Sequence, residues 1–489
     1  MNELIPLDAL GADGLYRTRT RQRVHDVTGG EVAELTLVPR LFVARTMSAL
    51  RRARSLPADE RIAALARTAT TFTTAGINGH SLAQYQDIVS RVSGMGISAV
   101  RSSTEMIAEA ARLARHSVLQ GRPVGAAGDL SDPARRDPTA AWTRRGDVFA
   151  VHAAGNHPAT HALWLEALAL GYRVALRPSG REPFTPHRLV GALRASGFGD
   201  DQVVLLPTDH ETADEILREA DLGMVYGGQD VVDKYRNDTH VLPQGPGRSK
   251  ILITADVDWH EHLDTIVDSV VGQGGTACTN ATAVLIEGDP APLARALSER
   301  LAAIPSLSPQ DDRALLPVRP VRSARAVEEL LLSKAAGTRP WLGGDGVVDE
   351  LPSGGAVLRP AVHQVDRPDA EQVGVELPFP CVWVAPWSYE AGTSPLRNTL
   401  VLNVATRDER LIGDLVSEPT VANVYLGRRP THWYAPGVPH DGYLSDFLMR
   451  TKAVVREARD QERAPHRAGP ADGSSQGRSR RSITTHAAE

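Results

Sequence analysis

The stretch that decides the fold reads VFAVHAAGNHPATHALWLEALALGYRVAL and covers residues 148–176. It begins with four apolar residues, 148–151, which are typical of a buried strand. Residues 159–170 have the composition and length of a helix, and Gly171 follows where helices commonly end. A second apolar run at 173–176 predicts another strand. The pattern therefore predicts a strand–helix–strand unit, from which parallel sheets are built.

The same alternation continues along the chain. Thr185 followed by Pro186 predicts a helix start, because threonine caps helices and proline suits the first turn. The further predicted elements are helices at 185–195, 211–220 and 258–271, strands at 203–206, 222–226, 251–253 and 283–286, and helical spacing throughout 41–117. We therefore expect the α/β class, with two blocks of parallel sheet.

The composition limits the classes of function. The chain has 489 residues, 42% hydrophobic and 23% charged, which is enough for several globular domains. A net charge of −5 gives no reason to expect nucleic acid or an anionic membrane as a partner. With two cysteines, no targeting signal and no apolar run long enough for a bilayer, we expect a cytoplasmic protein.

The first of the two cysteines is a candidate nucleophile. Cys278 ends the segment G-Q-G-G-T-A-C, residues 272–278, between a predicted helix and a predicted strand. A thiol in such a glycine-rich loop is open to attack on a carbonyl carbon. The alternative is a buried cysteine that acts as a small apolar side chain, which is the commoner case. Cys381 lies within the apolar run 381–384, so we expect it to serve packing.

Two other motifs carry weaker signals. Gly227 and Gly228 follow a predicted strand and precede a helix, and the N–H groups of such a turn can hold a phosphate. The full G-x-G-x-x-G fingerprint of dinucleotide-binding domains is absent. His152, His157 and His161 are close in sequence, but no cysteine or carboxylate completes a set of ligands, so we predict no metal site.

Taken in order, these segments resemble the aldehyde dehydrogenase superfamily over roughly residues 41–455. The matching segments are 154–158 (A-G-N-H-P for W-N-F-P), 176–179 (L-R-P-S for L-K-P-S), 226–228 (Y-G-G for F-T-G), 272–278 (for G-Q-x-C), 376–380 (E-L-P-F-P for E-x-F-G-P) and 443–452. The resemblance implies an atypical Rossmann cofactor domain, an α/β catalytic domain and a small oligomerisation arm.

The resemblance also implies roles for individual residues. Cys278 would be the nucleophile, and the Asn156 amide would help to hold the substrate oxyanion. For Asn156 the alternative is a turn residue that bonds its own backbone. The residues implied in cofactor binding are Arg177, Ser179, Arg181, Gly227, Gly228 and Glu376. Arg181 could instead be a solvated surface residue, and Glu376 a surface carboxylate.

One departure from the family pattern points to a particular reaction. Aldehyde-oxidising members carry an E-L-G-G-K segment whose Glu activates the water that hydrolyses the thioester. Here the segment reads P-Q-G-P-G-R-S-K, residues 243–250, and contains no carboxylate. Without that base, a thioester on Cys278 should resist water. The chain is therefore similar to the acylating branch, which includes acyl-CoA reductases and the reductase components of actinobacterial carboxylic acid reductases.

The cofactor and the reaction follow as expectations. Where the family often has a Glu for the ribose 2′-hydroxyl, this chain has Gly180, followed by Arg181, which favours the 2′-phosphate of NADPH, with NADH as a possible substitute. We expect reduction of an activated carboxylic acid, carried by CoA, a carrier protein or an adenylate, to its aldehyde. The alternatives are an aldehyde-oxidising dehydrogenase and a non-catalytic scaffold relative.

The resemblance also divides the chain. We expect an N-terminal segment (1–40), a cofactor-binding domain (41–250, with an arm segment near 121–147), a catalytic domain (251–430), a C-terminal oligomerisation arm (431–459) and a disordered tail (460–489), whose Arg/Ser/Gly/Ala-rich sequence lacks apolar periodicity. A homo-oligomer is expected from the arm. An acyl-adenylating protein is the expected partner, with secondary metabolism (antibiotic biosynthesis) as the setting.

Overall fold

The computed structural model describes residues 3–128 and 139–455. The predicted disordered tail, 460–489, lies outside these ranges, as does part of the first arm segment. Two seven-stranded sheets, each flanked by helices, form the centre of the molecule. This arrangement confirms the predicted α/β class with two largely parallel blocks.

The first large sheet contains the sequence that decided the fold. Its strands, in spatial order, are Val241–Gln244, Leu222–Tyr226, Val148–His152, Arg173–Arg177, Val203–Leu205, Ala9–Gly11 and Gly14–Tyr16. The first five strands are parallel, and the N-terminal pair is added antiparallel. Residues 9–16, for which the sequence predicted no element, thus extend this sheet.

The second large sheet carries the nucleophile loop. Its strands, in spatial order, are Arg339–Leu342, Ala361–Gln364, Cys381–Trp387, Ala281–Glu287, Ser249–Ile253, Thr399–Ala405 and Val421–Leu426. All neighbours are parallel except the first pair, which is antiparallel. Because the central strands are buried on both faces, they read as continuous apolar runs.

Three small sheets complete the strands. They pair Ile5–Leu7 with Glu31–Thr36 and Arg21–His25, Val318–Arg319 with Ala356–Leu358 and Val348–Glu350, and Met449–Val454 with Thr139–Arg144 and Ala126–Ala127. The last of these joins the two segments that the sequence assigned to the arm, because Met449–Val454 pairs antiparallel with Thr139–Arg144.

The α-helices pack on both sides of the large sheets. They are Arg40–Arg52, Ala58–Thr74, Leu82–Ser93, Ile97–Gln120, Leu165–Leu170, Phe184–Ala195, His210–Glu219, Gln229–Tyr235, Leu263–Val271, Ala291–Ala302, Val321–Lys334, Glu409–Val416 and Leu444–Leu448. In the described ranges, no helix combines the length and the apolar character that crossing a bilayer requires.

Two sequence predictions about helices were wrong in detail. The helix expected at 159–170 is a short 3-10 turn, Pro158–Ala162, followed by Leu165–Leu170. Thr185 does not cap the next helix, which begins at Phe184. The carboxylate of Glu182 accepts the N–H groups of residues 184 and 185 instead, at 2.8 and 2.9 Å, so an acidic cap replaces the predicted threonine.

Candidate active site

A cleft of about 850 Å³ runs between the two large sheets. Seven of the eight residues proposed from sequence as catalytic or cofactor-binding line it: Asn156, Ser179, Arg181, Gly227, Gly228, Cys278 and Glu376. The strands of each large sheet end at this cleft, which is where α/β proteins commonly bind ligands. The fold therefore brings together residues that are more than 200 positions apart in the chain.

The loop 272–280 presents Cys278 to this cleft. Gln273 and Gly274 adopt left-handed backbone conformations, with φ of 57° and 77°, and turn the chain sharply after the helix Leu263–Val271. The side chain of Asn280 then holds the loop: it accepts the Ala277 N–H at 2.9 Å and donates to the carbonyl of Gly272 at 2.8 Å. The thiol is consequently half-buried and held in one position.

The backbone behind the thiol is packed just as closely. A Cβ on Gly247 would lie 1.7 Å from the carbonyl oxygen of Cys278, so only glycine allows this approach. The Ser249 hydroxyl donates to the same carbonyl at 3.0 Å. Cys381, by contrast, is buried in a central strand, and burial raises the pKa of its thiol. The two cysteines are thus in the different environments that their sequences predicted.

Asn156 lies beside the nucleophile loop, as expected for an oxyanion ligand. Its amide donates to the carbonyl of Thr276 at 3.0 Å, which fixes the side chain against the loop. An amide has two N–H donors, so one remains for a substrate oxygen. The arrangement fits the oxyanion role implied by the resemblance, and that role remains a prediction.

The three neighbouring histidines are buried and serve packing or local hydrogen bonds. His157 contacts the Gln273 side chain at 3.2 Å, and His161 accepts the Trp164 indole N–H at 3.1 Å. Burial lowers the pKa of His157 to about 4, so the ring is neutral at pH 7. Within 3–128 and 139–455, no group of three or more His, Cys, Asp or Glu is placed to hold a metal ion.

The cofactor side of the cleft is only partly as the sequence predicted. Arg181 reaches back to donate to the carbonyl of Ser93 at 3.0 Å, while Ser179 accepts the Arg181 backbone N–H. Arg177 does not line the cleft, because its guanidinium is bound to the hydroxyl and carbonyl of Thr208 at 3.0 and 3.2 Å. Arg177 therefore supports the end of its strand and leaves Arg181 as the exposed cation.

The Gly227–Gly228 turn is likewise partly engaged. The N–H of Gly227 already donates to the carbonyl of Gln244 at 3.0 Å, so it cannot also hold a phosphate. Gly228 remains at the surface of the cleft. The carboxylate of Glu376 accepts the Arg248 backbone N–H at 2.8 Å and has further lone pairs, and burial raises its pKa.

The residues present fit a nicotinamide cofactor. A Cβ on Gly155 would lie 2.2 Å from the Ser179 hydroxyl, so glycine keeps this edge of the cleft open. Arg319, which the sequence did not identify, lines the cleft with a buried Nε that has no partner in the described chain. Burial lowers the pKa of Arg319 to about 10, with Arg181 as a nearby second cation. Two such guanidiniums suit a phosphate-bearing ligand.

The sequence also missed two residues next to the thiol. His440 Nε2 lies 3.7 Å from the Cys278 Sγ, and its Nδ1 lies 3.6 Å from a carboxylate oxygen of Asp441. Asp441 also accepts from the Gln244 amide at 3.1 and 3.3 Å. No local pattern marks these residues: they belong to an irregular loop, 427–443, and 162 positions separate the histidine from the thiol.

Aromatic side chains cover the remaining wall of the cleft beside the thiol. They are Tyr226, Tyr425, Trp433 and Tyr434. The Tyr226 hydroxyl donates to the carbonyl of Thr160 at 3.2 Å, and the Tyr425 hydroxyl donates to the carbonyl of Trp433 at 3.0 Å. Because these hydroxyls are bound to backbone, the rings are held in place and present flat apolar surfaces to a ligand.

The sequence matches a family model over most of its length. Residues 33–443 match the model described as the aldehyde dehydrogenase family. Among curated proteins, the chain is similar to a putative aldehyde-dehydrogenase-like protein of Sinorhizobium fredii, with 23% identity over 128 residues. That match spans 25% of this chain and 25% of the relative's length.

Solved structures of the same family share the fold. An aldehyde dehydrogenase from Physcomitrella patens, solved with its product succinate, superposes with a TM-score of 0.78 at 16% identity, over 93% of this chain and 98% of that one. A gamma-glutamyl-gamma-aminobutyraldehyde dehydrogenase from Burkholderia cenocepacia gives 0.78 at 18% identity, over 92% and 96%. At these identities the superpositions establish the fold and leave the substrate open.

Proposed function

The chain belongs to the aldehyde dehydrogenase family, and we propose that it reduces an activated carboxylic acid to the aldehyde through a thioester on Cys278, with NADPH as reductant. The coarser statement, an NAD(P)-dependent oxidoreductase of aldehydes, follows from family membership. The direction and the acyl donor are the proposal. One observation carries it: the residue in the place of the water-activating Glu is Gln244, which has no basic group.

The surroundings of Gln244 support this reading. Its amide is bound to Asp441, the carboxylate closest to the thiol's histidine. Burial acts to raise the pKa of Asp441, but bonds from His440 and Gln244 lower it overall, so this carboxylate is a weak base. Glu376 is engaged by the backbone of Arg248. Neither carboxylate contacts the thiol, so neither is placed as the base that hydrolytic relatives use.

The chain's own residues would act in sequence. Cys278 attacks the acyl carbonyl, and the free N–H of Asn156 holds the oxygen as negative charge develops on it. The donor leaves, and Cys278 carries the acyl group as a thioester. When bound, the reduced nicotinamide supplies the hydride. The aromatic wall keeps water from the acyl group, so that the thioester waits for reduction.

Aldehyde oxidation is the second candidate, and one observation favours it. His440 lies close enough to the thiol to activate a water molecule beside a thioester. A non-catalytic scaffold is a weaker alternative, because Cys278, Asn156 and Glu376 all remain in one cleft. The two catalytic candidates differ in what discharges the acyl-enzyme, hydride or water.

The test is to follow that discharge directly. Protein is mixed with benzoyl-CoA or octanoyl-CoA without NADPH, and intact mass is measured over time, with Cys278→Ser as the control. We expect an adduct that persists for minutes and is released as aldehyde when NADPH is added. Rapid release as free acid, together with NADP⁺-dependent oxidation of the matching aldehyde, would establish an oxidising dehydrogenase instead.

The proposed partners follow from the same chemistry. An acyl-adenylating protein would supply the activated acid, which places the chain in secondary metabolism and the cytoplasm, consistent with two free cysteines. A homo-oligomer would form through the small sheet that contains Met449–Val454, whose outer edge is free to pair. Size-exclusion chromatography with light scattering tests the oligomer.

A further inference from the structure

The histidine beside the thiol is anchored from both large sheets. Asn423, in the strand Val421–Leu426, donates its amide to the His440 carbonyl. Gln244, at the end of Val241–Gln244, binds the Asp441 carboxylate. The loop residues 440 and 441 are therefore fixed to one sheet through the backbone and to the other through a side chain. Such a position is specified by the fold, because two separate elements define it.

We infer that His440 is the catalytic base that takes the proton of Cys278, and that Asp441 and Gln244 are positioning residues that orient its ring. The imidazole Nε2 faces the sulfur, and Nδ1 faces the carboxylate, which is the order required for a thiol–imidazole–carboxylate relay. The Gln244 amide then occupies the carboxylate's remaining lone pairs.

The local charges support the ion-pair form. Burial alone would lower the pKa of His440, but Asp441 and the Cys278 sulfur raise it to about 10, so the ring is a cation at neutral pH. The ionisable groups that act on this pair are Cys278, Asp441 and the phenol of Tyr226, whose hydroxyl is donated to Thr160. Tyr226 stays neutral, because burial raises its pKa.

Other candidate bases in the cleft are engaged elsewhere. His157 contacts Gln273, and His432 pairs with Asp268 at 3.2 Å. The Glu376 carboxylate accepts the Arg248 N–H. Of the His and Glu side chains that line the described cleft, His440 is the one hydrogen-bonded to the sulfur.

The proton balance of the acylation step is complete with these groups. The proton moves from Sγ to Nε2 of His440, and the thiolate forms a C–S bond with the acyl carbon. The tetrahedral adduct collapses, the carbon–sulfur bond of the donor breaks, and the proton on Nε2 neutralises the leaving thiolate. This second part rests on the proposed function, whereas deprotonation of Cys278 holds for any carbonyl that the thiol attacks.

The test measures thiol reactivity without substrate or cofactor. Full-length protein is treated with iodoacetamide between pH 6 and 10, and alkylation of the Cys278 peptide is followed by mass spectrometry. The variants are His440→Ala, His440→Gln and Asp441→Asn, with His432→Gln as the matched control from the same cleft. Circular dichroism checks that each variant is folded.

We expect the His440 variants to be alkylated roughly tenfold or more slowly at pH 7, with the gap closing near pH 10, where a thiolate forms unaided. Asp441→Asn should fall between, and His432→Gln should match the parent. Equal rates at pH 7 for parent and His440→Gln would overturn the inference, as would a drop in His432→Gln as large as in the His440 variants.

The result is separable from the proposed function. If the alkylation pattern holds but acyl-CoA is not reduced, the ion pair stands and the reaction assignment fails. If acyl-CoA is reduced and His440→Gln retains full alkylation and turnover at pH 7, the reaction stands and the base is another group.

Discussion

The two walls of the cleft beside the thiol are held in different ways. Loop 272–280 is short, follows a helix directly, and is locked by Asn280 and by contact with Gly247. Loop 427–443 has no regular secondary structure and is held by side chains from neighbouring strands. Asn403, for example, donates to two of its carbonyls, each at 2.9 Å.

This difference separates two tasks. The locked wall carries the nucleophile, whose position must be constant for any acyl group. The irregular wall supplies the aromatic rings Trp433 and Tyr434 together with His440, and a loop can change length and sequence without disturbing a sheet. We expect the locked wall to determine whether chemistry occurs, and the loop wall to determine on which acyl group and at what pH.

The strongest way to break this comparison is to remove the nucleophile. Cys278→Ser should reduce turnover to background while leaving the fold and NADPH binding intact, because a serine there lacks the acidity of a thiol. Steady-state assays, thermal melts and cofactor titration measure the three properties. Cys381→Ala is the matched control and should keep its activity; substantial activity in the serine variant would contradict a covalent mechanism.

A carboxylate placed in the first sheet should change the fate of the acyl-enzyme. Gln244→Glu restores the side chain that hydrolytic relatives carry, so the adduct should lose its acyl group to water faster, by roughly 10²-fold. Gln244→Ala, which loses the Asp441 contact without gaining a base, serves as the control. Unchanged lifetimes in both variants would show that water is excluded from the site by its walls alone.

The cofactor end of the cleft offers a smaller effect. Arg181→Ala should weaken NADPH relative to NADH, because one charge-assisted contact to the 2′-phosphate contributes roughly 1.5–3 kcal/mol. Arg177→Ala is the comparison, since its guanidinium is bound to Thr208 and should affect stability more than cofactor choice. The ratio of kcat/KM values for the two cofactors reports the outcome, and an equal loss in both variants would refute the assignment.

The smallest effect concerns a buried carboxyl behind the loop wall. Glu166 is buried near Tyr434, and burial raises its pKa from about 4.5 to about 7. The folded state binds this proton more tightly, so the stabilisation is full below pH 4.5 and is lost as the pH rises through 7. Glu166→Gln should therefore gain about 2 kcal/mol on the parent between pH 4.5 and pH 8.

Denaturant unfolding at the two pH values measures this difference. A parallel pH dependence in parent and variant would show that the Glu166 carboxyl titrates as an ordinary exposed acid. The neighbouring rings would then not lie over an uncharged group, and the loop wall would be wetter than its burial indicates.

Sequence reasoning recovered the features that depend on neighbouring residues. Apolar runs located the strands Val148–His152 and Leu222–Tyr226, and the glycine-rich segment located the Cys278 loop, because these properties are encoded locally. Helix starts were harder, since Glu182 outcompeted Thr185 as a cap through a carboxylate that lies outside the expected motif.

Features that depend on distant residues could not be predicted in the same way. The Arg177 side chain was expected at the cofactor, but the position of Thr208 on the next strand draws it away. His440 and Asp441 lie in a loop with no periodicity and meet the thiol only through the tertiary fold. A single histidine in an irregular loop has no sequence signal, whereas its place beside a sulfur does.

The spacing between the thiol and its histidine has a consequence for protein synthesis. The ribosome makes His440 162 residues after Cys278, a delay of roughly 10–30 s at ordinary elongation rates. During that interval the chain carries a cysteine without the group that faces it in the finished fold. Reactivity at this site would thus arise only after nearly the whole described chain has been translated, which protects the nascent thiol from premature modification.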